Sequence, residues 1–185
     1  MKNILAIIPA RGNSKSIKNK NIKLLFGKPL IYYSINIAKK SKLINRVIVS
    51  SDSKKIINIA KKFGAEAPFI RPKELSKDNS KDYGLFLHCL NWLKKNENYI
   101  PDLIIHLRPT YPIRSARVVD KAIKFALRSR KYDSIRSVCE PVQNPYKMWH
   151  INKNNFLIPM LGNFKKELYN SPRQILKKTY WQNAY

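Results

Sequence analysis

The chain has 185 residues, is 44% hydrophobic, and carries 37 Lys and Arg against 11 Asp and Glu, a net charge of +26. A chain of this length and hydrophobic fraction fits one globular domain with its own core, and no apolar run approaches the roughly 18 residues of a membrane span. Ile4–Ile8 is too short for the apolar centre of a secretory signal and Arg11 follows closely, so neither a leader nor a membrane partner is expected.

Short apolar runs and amphipathic stretches alternate along the chain. Ile4–Ile8 ends in Pro9 and reads as a buried strand. A helix is expected over Pro29–Lys42, with Leu30, Tyr33, Ile37 and Ala38 on its apolar face. Strand Arg46–Ser51 follows, and Asp52-Ser53 is placed to start a helix over Lys54–Phe63 that stops at Gly64. A short strand is expected over Ala67–Ile70. A helix around Leu85, Phe86, Cys89, Leu90 and Leu93 spans Asp82–Lys95. Strand Asp102–Leu107 comes next, then a helix over Ser115–Arg130 with Val118, Val119, Ala122, Ile123 and Ala126 as its stripe, and finally strand Ser134–Val138. Strands alternating with helices imply an α/β, Rossmann-like, mostly parallel sheet. From Pro141 onward prolines and large aromatics interrupt the pattern. We therefore expect a core over 1–140 and an irregular extension over 141–185, continuous with it. Trp and Tyr in such an extension fit an interface.

The lysines are spread along the chain in pairs such as Lys39-Lys40, Lys61-Lys62 and Lys94-Lys95, so most of the charge reads as solvated helix faces. Weak polyanion binding at low salt is expected from it, but no specific nucleic-acid partner. Cys89 and Cys139 make no CxxC pair and no disulfide framework; both are expected to be buried filler in a reducing cytoplasmic setting. His88, His106 and His150 are scattered, and no order or spacing points to a Ser-His-Asp or Cys-His set.

The first loop carries the chemistry. Ligands of open α/β sheets sit beyond the carboxyl ends of the strands. Here that position holds Arg11, Gly12, Asn13, Ser14 and Lys15, with Lys18 and Lys20 behind them. The loop is neither a P-loop nor G-x-G-x-x-G. Its strand-Pro-Ala-Arg-Gly-x-Ser-Lys order suits a polyphosphate better than a solvated turn, the other reading of a lysine-rich stretch.

That loop, ARGNSKSIKNKN, resembles the A-R-x-x-S-K-G-x-x-x-K-N signature of the acylneuraminate cytidylyltransferases, or CMP-sialic acid synthetases. It matches at Ala10, Arg11, Ser14, Lys15, Lys20 and Asn21, with Ser16 standing where the family has Gly. Further matches follow in order: Gly27-Lys28-Pro29-Leu30, Val49-Ser50-Ser51-Asp52, Arg71-Pro72 with Glu74-Leu75 and Asp78, Leu107–Arg114 (LRPTYPIR), and Pro172-Arg173-Gln174 followed by Asn183.

The resemblance implies a nucleotide-diphospho-sugar transferase fold with helices on both faces of the sheet, and a homodimer formed through the extension. It also implies a reaction in which CTP and a nonulosonic acid give a CMP-sugar and pyrophosphate with Mg²⁺ as cofactor. A triphosphate carries about four negative charges, which fixed cations must neutralise. Arg11 and Lys20 are then the catalytic cations. Ala10, Gly12, Asn13, Ser14, Lys15, Asn21, Arg71 and Asp82 join them around the nucleotide, with backbone N–H groups of Gly12–Ser14 as added donors. Arg108 stands where the family places a Gln that contacts the sugar, and an Arg there favours a carboxylate. Tyr146, Arg173 and Asn183 complete the implied sugar site.

The family binds Mg²⁺ through a D-x-D pair near its C-terminus, whereas this sequence ends at Tyr185. The metal ligands are therefore left unknown, Asp52, Asp78 and Asp82 being the acids near the ligand loops. The expectation is a truncated chain that binds CTP and turns over slowly. Two other readings stay open: another sugar nucleotidyltransferase, such as a Kdo cytidylyltransferase, and a non-catalytic basic module that binds polyanions.

Overall fold

A computed structural model describes residues 2–14, 17–128, 132–162 and 167–182. These fall into two compact units, one running to Ile135 and the other starting at Arg136.

In the first unit, strand β1 (Ile4–Pro9) is followed by a 3-10 turn, Lys20–Ile22, and a small hairpin of β2 (Leu24–Leu25) and β3 (Lys28–Pro29). Helix α1 (Leu30–Lys40), strand β4 (Arg46–Ser50) and helix α2 (Lys54–Lys62) come next. Helix α3 (Asp82–Glu97), strand β5 (Leu103–His106) and helix α4 (Ala116–Arg128) complete the unit. The sheet is β4-β1-β5, all parallel, with Leu5 opposite Arg46 on one side and Ile104 on the other. The chain leaves β1 toward β4 and returns to the opposite edge as β5. β1 is therefore where the strand order reverses, the place where such sheets bind ligands.

Strand alternation divides the core. Ala6 and Ile8 of β1 face α1, α2 and Val119 of α4, packing on Ile31, Ile35, Ile56 and Ala60. Leu5 and Ile7 face α3, packing on Leu85, Cys89 and Leu93. Helices thus cover both faces, and β1, buried on both, reads as a continuous aliphatic run. Burial pushes the Cys89 thiol up to about 12, which makes it filler. Cys139 is exposed, contrary to expectation.

Several boundaries and faces differ from the sequence reading. The buried stripe of α1 is Ile31, Ser34, Ile35 and Ala38 rather than Leu30, Tyr33 and Ile37. Buried Ser34 donates its hydroxyl to the Arg108 carbonyl, and the Tyr33 hydroxyl turns out to donate to the Leu25 carbonyl. On α4, Ile123 is the one buried position, while Val118 is exposed. Residues 67–70 form no strand. Glu66 makes a single bridge to Ile48, and Pro68, lacking an N–H, cannot extend a ladder. Gly64, at φ 80°, closes α2 as expected.

Arg46, at the start of β4, ties the sheet edge to the end of α3. Its Nε donates to Glu66 Oε1 at 2.8 Å, its Nη1 lies 2.6 Å from Glu97 Oε2, and its guanidinium sits 4.9 Å from the Tyr99 ring centre. No helix among the described residues is long and apolar enough to cross a membrane.

The second unit holds two antiparallel pairs: β6 (Val138–Cys139) with β9 (Trp181–Gln182), and β7 (Trp149–Ile151) with β8 (Leu157–Pro159). The expected strand over 134–138 does not join the parallel sheet, because Ser134-Ile135-Arg136-Ser137 is too polar for a strand buried on both faces. Short 3-10 turns cover Pro145–Lys147, Leu168–Asn170 and Arg173–Ile175, and the Trp149 and Tyr169 rings meet at 4.6 Å.

Candidate functional site

The carboxyl end of β1 leads into a pinned loop. The Ala10 N–H donates to the Ser50 carbonyl at 3.0 Å, one step beyond the β1–β4 ladder. The Gly12 N–H donates to Asp52 Oδ1 at 2.8 Å, and the Nδ2 of buried Asn21 donates to the Arg11 carbonyl at 2.9 Å. Gly12 is needed for close approach, since a Cβ there would lie 3.1 Å from the Ser53 Cβ. Its N–H is taken up by Asp52 in this structure. The Asp52-Ser53 pair does stand at the start of α2, as expected. Ser53 is the residue that precedes α2, and the Asp52 carboxylate turns to the loop.

Three arginines gather at this edge, each facing an aspartate. Arg11 Nη1 lies 2.8 Å from Asp78 Oδ1. Arg108, just beyond β5, pairs with Asp82 in the first turn of α3. Arg71 Nη2 is 3.9 Å from Asp52 Oδ1, too far for a hydrogen bond. Arg71 is 3% exposed, its backbone N–H donates to the Ser51 carbonyl, and its Nε and Nη2 have no hydrogen-bond partner. Burial lowers its pKa; Asp52 opposes that, and Arg11 adds to it. A guanidinium buried with donors unused is costly unless something supplies acceptors.

The Arg108 carbonyl accepts from the Ser34 hydroxyl at 3.2 Å and from Arg114 Nη2 at 2.6 Å. Arg114, which sequence reasoning did not single out, closes the 108–114 loop through this bond. Its Nε and Nη1 are buried without partners, and burial lowers its pKa.

The structure therefore brings together Ala10, Arg11, Gly12, Asn21, Arg71, Asp82 and Arg108 at one sheet edge. Asn13 is exposed on the same loop, Ser14 is half-buried, and Lys20 opens the 3-10 turn after Asn19 in a left-handed conformation. Lys15 and Asn183 lie outside the described residues. Tyr146 and Arg173 sit on 3-10 turns of the second unit. His88 is a core-edge residue, its ring edge-on to Phe69 at 4.8 Å and its pKa lowered by burial.

Comparison with known proteins gives this geometry a family. A family model described as cytidylyltransferase matches residues 5–178. The pseudaminic acid cytidylyltransferase of Campylobacter jejuni is 37% identical over 182 residues, covering 97% of this chain and 75% of that protein. The N-acylneuraminate cytidylyltransferase of Escherichia coli is 36% identical over 135 residues, covering 73% of this chain and 31% of its own length. A solved CMP:2-keto-3-deoxy-manno-octonic acid synthetase complexed with CTP shares the fold at a TM-score of 0.59 and 21% identity, over 70% of this chain and 49% of that one. The family match begins inside β1, takes in the pinned loop and all three arginines, and reaches into the second unit: the chain belongs to the cytidylyltransferase family.

Proposed function

We propose that the chain transfers the cytidylyl group of CTP to the anomeric hydroxyl of a nonulosonic acid, releasing pyrophosphate. The observation that carries this is buried Arg71, its Nε and Nη2 unused, beside Arg11 at the edge where the strand order reverses. An in-line attack on the α-phosphate needs positioning and charge neutralisation, which Arg11, Lys20 and Arg71 supply without covalent chemistry. Arg108 is the group for the sugar's carboxylate, which would compete with Asp82 for two parallel hydrogen bonds. The sugar class rests on relatives named for pseudaminic and N-acylneuraminic acids.

Mg²⁺ belongs to the proposal as the ion a triphosphate carries with it. Among the described residues no three His, Cys, Asp or Glu side chains gather as a metal site, and Asp52, Asp78 and Asp82 each face an arginine. These residues do not make a metal cage.

Thermal unfolding with Mg²⁺ and CTP, UTP, ATP, GTP or single-stranded DNA tests the reading. CTP at about 100 times its Kd should add roughly 2.7 kcal/mol, a rise of several degrees, while Mg²⁺ alone changes nothing. Pyrophosphate release with pseudaminic, N-acylneuraminic and legionaminic acids, with Kdo as the contrast, then identifies the acceptor. Equal shifts with every polyanion would refute the proposal, and release with Kdo alone would reassign the sugar.

The proposal includes a homodimer formed through the second unit, where Ile151, Phe156, Leu157 and Trp181 are exposed. Sedimentation equilibrium should give twice the chain mass; a monomer at tens of micromolar would overturn it.

A further inference from the structure

We propose that Asp52 is a positioning residue of the nucleotide site, holding the first loop through the Gly12 N–H so that Arg11 and Arg71 converge on one ligand. The inference rests on the nucleotide reading and adds to it a residue that does not touch the nucleotide.

The end of β4 is a hub on which the site hangs. Three consecutive residues fix the first loop and Arg71: the Ser50 carbonyl takes the Ala10 N–H, the Ser51 carbonyl takes the Arg71 N–H, and Asp52 Oδ1 takes the Gly12 N–H. The same Oδ1 faces the Arg71 guanidinium, 3.9 Å from its Nη2. One carboxylate oxygen therefore lies between the loop that carries Arg11 and the buried Arg71, with the Asp52 side chain only 19% exposed. The loop approaches so closely that residue 12 has no room for a side chain without displacing Ser53.

Electrostatics argues that geometry, rather than charge, is the reason for an acid here. A carboxylate beside a triphosphate repels it, whereas the end of β4 holds the loop through two backbone groups, the Ala10 and Gly12 N–H. An acceptor at this position is useful because it locks the loop before the ligand arrives, which removes an ordering cost from binding.

Asp52→Ala removes the acceptor, whereas Asp52→Asn keeps an oxygen where Oδ1 stands and discards the charge. Two readouts separate the possibilities. Hydrogen exchange at the Gly12 amide should be slow in the wild type and in Asp52→Asn, and fast in Asp52→Ala. Titration with CTP and Mg²⁺ should show Kd raised about tenfold or more in Asp52→Ala and restored to within about threefold of wild type in Asp52→Asn. Lower melting temperatures with unchanged Kd would make Asp52 merely structural and overturn the proposal. So would an Asp52→Asn variant as weak as Asp52→Ala, because the charge itself would then be what acts. A wild type that binds no nucleotide would sink the functional reading, while Gly12 exchange would still decide whether Asp52 holds the loop.

Discussion

Replacing Arg71 with methionine is expected to abolish the CTP-dependent rise in melting temperature while leaving the free protein at least as stable as wild type. The free protein gains little from this guanidinium. It is only 3% exposed, its Nε and Nη2 donate to nothing, and the Asp52 carboxylate that faces it stands at 3.9 Å. Burial already lowers its pKa, the sign of a cation held where the charged form is disfavoured. Methionine fills a similar volume without an unsatisfied donor, and replacing a poorly paired buried charge by an apolar side chain is often neutral or stabilising. A ligand that supplies two acceptors would recover about 1.5–3 kcal/mol for each charge-assisted bond. Losing both costs roughly 100-fold or more in affinity. Isothermal titration with CTP and Mg²⁺, beside melting curves without ligand, checks both halves. A variant that melts several degrees lower yet binds CTP normally would show Arg71 to be a structural residue.

The same logic explains why so basic a chain places scarce acids at its site. With 11 acidic residues in all, three stand opposite the three arginines of one sheet edge. In the free protein Asp78 and Asp82 hold Arg11 and Arg108 in partly exposed ion pairs, which are worth little and readily exchanged. Asp52 is different, since its bond is to backbone and stays useful when a ligand takes over the cations.

Much of this edge was legible in the sequence, for physical reasons that particular residues show. Ile4–Ile8 announced a central strand because a strand covered on both faces must be aliphatic at every position. The Arg-Gly-Asn-Ser loop then had to fall at the carboxyl end, where α/β sheets bind ligands. The pairings were not legible. Arg11 meets Asp78 and Arg71 meets Asp52 only because β4 returns beside β1 and the segment after Glu66 runs beside β4, and residue order does not encode that proximity. The face of α1 was misread because Tyr33 looks apolar in a periodic pattern, although its hydroxyl needs a partner and turns it away from the core. The 67–70 segment looked like a strand because Ala67 and Phe69 alternate inward, but Pro68 between them removes a ladder donor.

Arg46 should give the opposite signature to Arg71. Arg46→Ala is expected to lower stability by about 2–3 kcal/mol, a fall of roughly 4–12 °C, with the Kd for CTP unchanged. Its guanidinium joins Glu66 to Glu97 and lies over the Tyr99 ring, with its side chain 15% exposed. Removing it leaves two carboxylates close together without a countercharge, while hydrogen bonds to both glutamates hold its own pKa up. The glutamates are 46% and 31% exposed, so water recovers part of the loss and the cost stays below that of a sealed pair. Arg46→Met, which keeps the stem against Tyr99, should lose less than Arg46→Ala. Affinity is spared because Arg46 opens β4 and Asp52 lies beyond its other end, about 20 Å away along an extended chain. Urea unfolding and CTP titration on the same preparations separate the two effects. A loss of CTP affinity in Arg46→Ala equal to that in Arg71→Met would mean the site depends on the whole sheet edge rather than on its carboxyl end.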